Sequence, residues 1–305
     1  MVDLPMCSIK IMRQLMATRL QDGNSISPGP MLSDGSTTKR LTILVFDSGV
    51  GGLSIYDEVR QTLPDAHYLY VFDNEAFPYG EKPEQFIVDR VVAIVGAMWR
   101  LHKLDMVIVA CNTASTISLP ALRERFPCPI IGVVPAIKPA ARLTRNGIVG
   151  LLATRATVQR SYTHDLISQF AGDCQILQLG TAELVDMAEA KLHGEMVPLP
   201  VLRKLLRPWL RAVEPPDTVV LGCTHFPLLS PELQSVLPEG TRLVDSGSAI
   251  ARRAAWLVEH DIDVSGLQGE AGPNRAYCLA PTPQAVALMP ALTRYGFGSL
   301  GKLTL

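Results

Sequence analysis

The sequence predicts an α/β protein of two similar doubly wound parallel-sheet domains related by pseudo-two-fold symmetry, with a ligand site in the cleft between them. Three observations carry this. From Leu41 onward, short apolar runs alternate with amphipathic stretches, and each run ends in a Gly, Asn, Asp or Ser turn, as parallel strands with helical crossovers require. The 305 residues exceed the ~250–300 at which a single core stops growing. The chain also matches itself: Leu41–Gly49 pairs in pattern with Gly147–Arg155, His67–Asp73 with Cys174–Gly180, and Met106–Thr113 with Thr218–His225.

Taken in order, residues 1–40 carry the Gly-, Ser- and Pro-bearing tract from Gln21 to Pro30 and little periodic hydrophobicity, so they read as a partly irregular extension. Met16 offers an alternative start, which would set residues 1–15 upstream of the protein. The break between the halves falls near Val134-Pro135, where Pro127, Pro129, Pro135 and Pro139 punctuate the chain before a new strand at Ile148. The expected partition is therefore 41–134 plus 245–305 as the first domain and 135–244 as the second. The helical stretch Ala249–His260 and a last strand–helix pair return to the first.

Hydrophobic residues make up 48% and charged residues 19%, with 23 Gly and 23 Pro spread along the chain, the composition of a folded soluble protein. A net charge of −1, from 28 basic and 29 acidic residues well mixed, leaves no footprint for nucleic acid or anionic lipid. No apolar run approaches the ~20 residues of a membrane span, and the first residues lack a secretory signal, so a cytoplasmic protein is expected. The six cysteines, Cys7, Cys111, Cys128, Cys174, Cys223 and Cys278, form no C-x-x-C pair, which argues for free thiols rather than a zinc site or redox couple.

Cys111 follows an apolar strand and meets the polar turn Asn112-Thr113-Ala114-Ser115, which opens a helix around Ile117–Arg125. Such a helix end binds a carboxylate and is expected to lower a nearby thiol pKa from ~8.5. Cys223 ends the matching run, with Gly222 allowing close backbone approach and His225 two residues on. Either cysteine alone reads as core filler. Both sit at the carboxyl ends of corresponding strands, where open parallel sheets bind ligands. The loop Asp47-Ser48-Gly49-Val50-Gly51-Gly52 fits neither the G-x-G-x-x-G nor the Walker pattern, but it can offer backbone N–H groups to an anion. Pro78-Tyr79-Gly80 is a turn that puts a phenol and bare backbone beside the cleft. Thr154–Thr157 and Gly180–Glu183 hold the equivalent strand ends of the second half, where simple helix caps are the alternative reading.

Two thiols facing one carbon suit an α-proton exchange, one as base and the other as acid, exchanged with direction. Asp47 is placed to assist Cys111, and His225 to assist Cys223. The segments Asp47–Gly52, Pro78–Gly80, Ala110–Ser115, Gly132–Ala136 and Leu221–Leu229, in this order from about Leu41 to about Leu300, resemble the glutamate racemases of the aspartate/glutamate racemase family. That resemblance implies a cofactor- and metal-free interconversion of L- and D-glutamate that supplies peptidoglycan synthesis. It implies Cys111 and Cys223 as catalytic groups, the latter deprotonating L-glutamate and the former D-glutamate. Substrate contacts would fall on Asp47, Ser48, Tyr79, Gly80, Asn112, Thr113, Thr224 and His225, with Glu183 a helper near the second thiol. The stretch Pro135–Ala140 and the N-terminal tail resemble the enterobacterial form, which implies UDP-N-acetylmuramoyl-L-alanine as activator and a monomer rather than a dimer.

Three rivals follow from the same residues. A sister racemase acting on aspartate uses the same paired cysteines. A two-domain protein that closes on an acidic metabolite without chemistry needs no cleft cysteines. A pyridoxal-dependent racemase needs a Schiff-base lysine, for which Lys138 beside Pro139 is a poor choice.

Overall fold

Two parallel sheets organise the protein, described by a computed structural model over residues 40–263, 267 and 272–305. The first has six strands in the order β10-β9-β2-β1-β3-β4: β1 (Thr42–Asp47), β2 (His67–Phe72), β3 (Met106–Val109), β4 (Ile130–Gly132), β9 (Arg275–Cys278) and β10 (Ser299–Lys302). The second has four in the order β6-β5-β7-β8: β5 (Ile148–Ala153), β6 (Gln175–Gly180), β7 (Thr218–Leu221) and β8 (Arg242–Val244). Every pairing is parallel. The order β2-β1-β3-β4 repeats as β6-β5-β7-β8, so the self-match of the sequence is a repeat of topology. Cys7, Met16 and the extension as far as residue 39 lie outside the described residues.

The central strands are apolar throughout because both faces are covered. Along β1, Ile43 and Val45 enter one core with α1 (Leu53–Thr62) and the helix Gly247–His260, whereas Leu44 and Phe46 enter another with α2 (Glu84–Leu101) and α3 (Asn112–Arg125). In the second sheet Val149 and Leu151 pack with the helix Ile137–Leu143, and Leu152 packs on the opposite face with the helix Glu183–Leu192. α2 shows how sequence dictates this, burying Ile87, Val91, Ile94, Val95 and Met98, the spacing of one helical stripe. Each sheet is therefore a middle layer between helices, and its strands' carboxyl ends are where side chains leave the core.

α3 begins earlier than its sequence suggests. Asn112, Thr113 and Ser115 are weak helix formers on their own, yet together with Ala114 they are buried and helical. Tertiary burial overrides their local preference. No helix among the described residues is long and apolar enough to cross a membrane.

Candidate active site

β3 and β7 end at equivalent places in their sheets, and the chain delivers Cys111 two residues after one and Cys223 two residues after the other. Both sulfurs line one cavity of about 40 Å³ between the sheets. Asp47, Ser48, Tyr79, Gly80, Asn112 and Thr113 line it from the first domain, and Thr224 and His225 from the second. Phe77, Pro78, Thr154, Thr157, Val185 and Gly222 complete the wall.

Cys111 is itself the N-cap of α3: the Ala114 N–H donates to its Sγ at 3.4 Å, and Ser48 Oγ lies 3.3 Å from the same sulfur. The expected lowering of this thiol's pKa does not occur. Burial first, and then the charge of Asp47, outweigh the Ser48 and Ala114 hydrogen bonds and push Cys111 up to about 12. Both influences favour the protonated thiol.

Around Cys223 the charge is of opposite sign. His225 Nδ1 lies 3.7 Å from the Cys223 sulfur, and its Nε2 lies 2.7 Å from Glu189 Oε1. Burial works against protonating His225, but the hydrogen bonds and charges of Cys223 and Glu189 win and hold its pKa well above the usual histidine range. Burial likewise opposes ionising Glu189, and the His225 hydrogen bond and charge, with the Val50 N–H, hold its carboxyl below the usual range. The site thus contains an imidazolium–carboxylate pair directed at Cys223.

The glycine loop has a different use from the one its sequence suggests. Its N–H groups serve carboxylates of this chain: Ser48 N and Gly52 N donate to Asp47 at 2.8 and 2.5 Å, and Val50 N donates to Glu189 at 3.2 Å. Asp47 is wholly buried and its pKa is raised by that burial, against the pull of His225 and these two N–H groups. Gly51 is glycine because a Cβ there would stand 2.4 Å from His225 Nδ1.

Tyr79 also departs from expectation. Its hydroxyl donates to Asp73 Oδ2 at 2.7 Å, and Asp73 is gripped by both Arg90 Nε and Nη2 at 2.7 and 2.8 Å. The phenol is therefore engaged away from the site. Asn112 and Thr113 are buried in the wall, and Asn112 Oδ1 has no hydrogen-bond partner. Glu183 is not brought to the second thiol: its half-exposed carboxylate accepts from Thr181 Oγ1 at 2.7 Å and from Ala182 N at 3.1 Å at its own helix start. Glu189, six residues along the same helix, holds the place assigned to it. Thr154 caps a helix by accepting from Thr157 N at 3.3 Å and lines the cavity as well.

The sequence profile of the Asp/Glu/Hydantoin racemase family matches residues 43–254. The chain is 92% identical over 290 residues to glutamate racemase of Sodalis glossinidius, covering 95% of this chain and 100% of that one. Glutamate racemase of Escherichia coli strain E24377A is 66% identical over 288 residues, covering 94% and 99%. Among solved structures, E. coli glutamate racemase in complex with L-glutamate and the activator UDP-MurNAc-ala superposes with a TM-score of 0.85 at 68% identity, over 87% of this chain and 98% of that one. A Bacillus anthracis glutamate racemase isoform superposes with a TM-score of 0.71 at 26% identity, over 88% and 98%.

Proposed function

The chain belongs to the Asp/Glu/hydantoin racemase family, among its glutamate racemases, and on that premise we propose that Cys111 and Cys223 are the two acid/base groups of a cofactor-independent proton exchange at the α-carbon of glutamate. The observation that supports this reading is the pair of sulfurs at equivalent strand ends lining one cavity. In the L-to-D direction the Cys223 sulfur takes the α-proton on one face, and the Cys111 S–H gives its proton to the other. Cys223 ends as thiol and Cys111 as thiolate. The D-to-L direction runs the same transfers in reverse.

The surroundings fit this division. His225, held protonated by Glu189, supports a negative sulfur at Cys223. The Asp47 charge and burial keep Cys111 protonated and ready to donate. The start of α3 presents backbone N–H groups and positive partial charge to the substrate carboxylate, and Asn112 Oδ1 is an open acceptor for its ammonium group. Ser48, Tyr79, Gly80, Thr113, Thr154, Thr157 and Thr224 complete the contacts; Tyr79 contributes ring and backbone, since its hydroxyl is held by Asp73. Carbanion charge is met by these fixed donors in a site from which water is expelled on closure.

We further propose that the enzyme works in the cytoplasm, supplies D-glutamate to peptidoglycan synthesis, acts as a monomer of two domains, 41–134 plus 245–305 and 135–244, and responds to UDP-N-acetylmuramoyl-L-alanine. The E. coli relative crystallised with that activator supports the last point. Circular dichroism of purified protein with L-glutamate or L-aspartate tests the substrate: loss of signal from glutamate is expected, and faster loss from aspartate would overturn the assignment. Adding the activator should raise the glutamate rate.

A further inference from the structure

The turn that carries Cys223 is tied to its own domain at both ends. Gly222 N donates to Leu152 O at 2.7 Å, Phe226 N to Cys223 O at 3.0 Å, and Leu228 N to His225 O at 3.1 Å. The carbonyl in the middle of the turn, Thr224 O, is bound from the other domain. Ser54 Oγ, in the first turn of α1, lies 2.7 Å from it and 2.9 Å from Gly51 O. One hydroxyl proton serves one acceptor at a time, and the shorter contact is the one that crosses the cleft.

Two neighbours make the same junction. Gly51, three residues before Ser54, abuts His225 so closely that a Cβ would stand 2.4 Å from Nδ1. Val50 N donates to the Glu189 oxygen that also meets His225 Nε2. The leading turn of α1 is therefore the seat on which the Cys223–His225 turn comes to rest. Ser54 does not line the cavity and touches no reacting atom. Its hydroxyl sets the height of the Thr224 peptide, and through it the Cys223 sulfur relative to His225.

We propose that Ser54 is a positioning residue for the proton transfer at Cys223 and not for the one at Cys111. The inference rests on the two-thiol reading above. Enantiomers have equal free energy, so any variant lowers kcat/KM equally in both directions, and rate alone cannot locate the slowed step. Isotope effects can. If the Cys223 transfer alone becomes slower, the effect on kcat/KM with α-deuterated L-glutamate rises, because that step breaks the C–D bond. The effect with α-deuterated D-glutamate falls, because its C–D bond is broken at Cys111 before the slow step.

The test compares wild type with Ser54→Ala, and Ser54→Thr with Ser54→Val, a pair alike in shape and differing in the hydroxyl. Ser54→Ala and Ser54→Val are expected to lose about 10-fold or more in kcat, on the scale of a small misplacement of a reacting group. Both should show the rise for L and the fall for D, and Ser54→Thr should sit near wild type. Unchanged isotope effects, equal changes for both enantiomers, or a Thr variant that behaves like Val would overturn the proposal. Cys223→Ala in the same assay separates the two layers. If it still racemises, the two-thiol reading has failed; if it is inactive while Ser54→Ala shows symmetric isotope effects, the Ser54 assignment alone has failed.

Discussion

His225 Nε2 stands 2.7 Å from Glu189 Oε1, and this contact helps hold the histidine beside Cys223 protonated. Glu189 also accepts from Val50 N, so one carboxylate binds the second domain's histidine and the first domain's loop together.

Glu189→Gln keeps an acceptor and removes the charge, so the His225 pKa should fall toward the usual ~6.5. In the wild type the raised His225 pKa contributes stability that is full below ~6.5 and is lost as pH rises through its folded-state value. The lowered Glu189 pKa contributes stability that is full above the usual glutamate value and is lost as pH falls through its folded-state value. The pair therefore supports the fold across neutral pH. The variant should lose about 1–3 kcal/mol there, and the alkaline limb of its kcat/KM profile should move to lower pH. A limb that stays in place would show that His225 does not depend on Glu189.

Asp47→Asn tests the origin of the raised Cys111 pKa. Removing the charge should lower that pKa from about 12, read as faster alkylation of Cys111 at mildly alkaline pH. The same change puts an amide N–H where a carboxylate oxygen now accepts from Ser48 or Gly52, and should cost about 1–3 kcal/mol in urea unfolding. Faster unfolding with unchanged alkylation would mean that burial alone sets the thiol.

Gly51→Ala places a methyl group against the His225 ring. Overpacking of this kind costs about 1–3 kcal/mol, and here it falls on the turn that carries Cys223 and His225. A kcat loss of ~100-fold with a modest drop in melting temperature is expected. A variant with wild-type kcat would show that the junction is looser than drawn.

The paired cysteines were legible because strand ends, a repeat and parallel-sheet geometry all point to the same two positions. Glu189 was not, because nothing local distinguishes it. It lies mid-helix, and its partners, His225 and Val50, come from distant parts of the chain. Glu183 follows a strand end and so carries the sequence signal, but its carboxylate is used at its own helix start, accepting from Thr181 Oγ1 and Ala182 N. The glycine loop's sequence suggests an anion cradle; its N–H groups do bind carboxylates, but those of Asp47 and Glu189. The Cys111 pKa went the other way because a helix-end effect is small beside full burial and a neighbouring carboxylate. Spacing along the chain carries the first kind of information and none of the second.

The central claim, one thiol for each face of the α-carbon, is tested most directly by exchange in deuterated water, followed by NMR at the glutamate α-position. Cys111→Ala retains the Cys223 base, so it should place deuterium on L-glutamate, leave D-glutamate untouched and not racemise. Cys223→Ala should label D-glutamate alone, again without racemising. Labelling of the opposite enantiomer by either variant, or racemisation by either, would contradict the account.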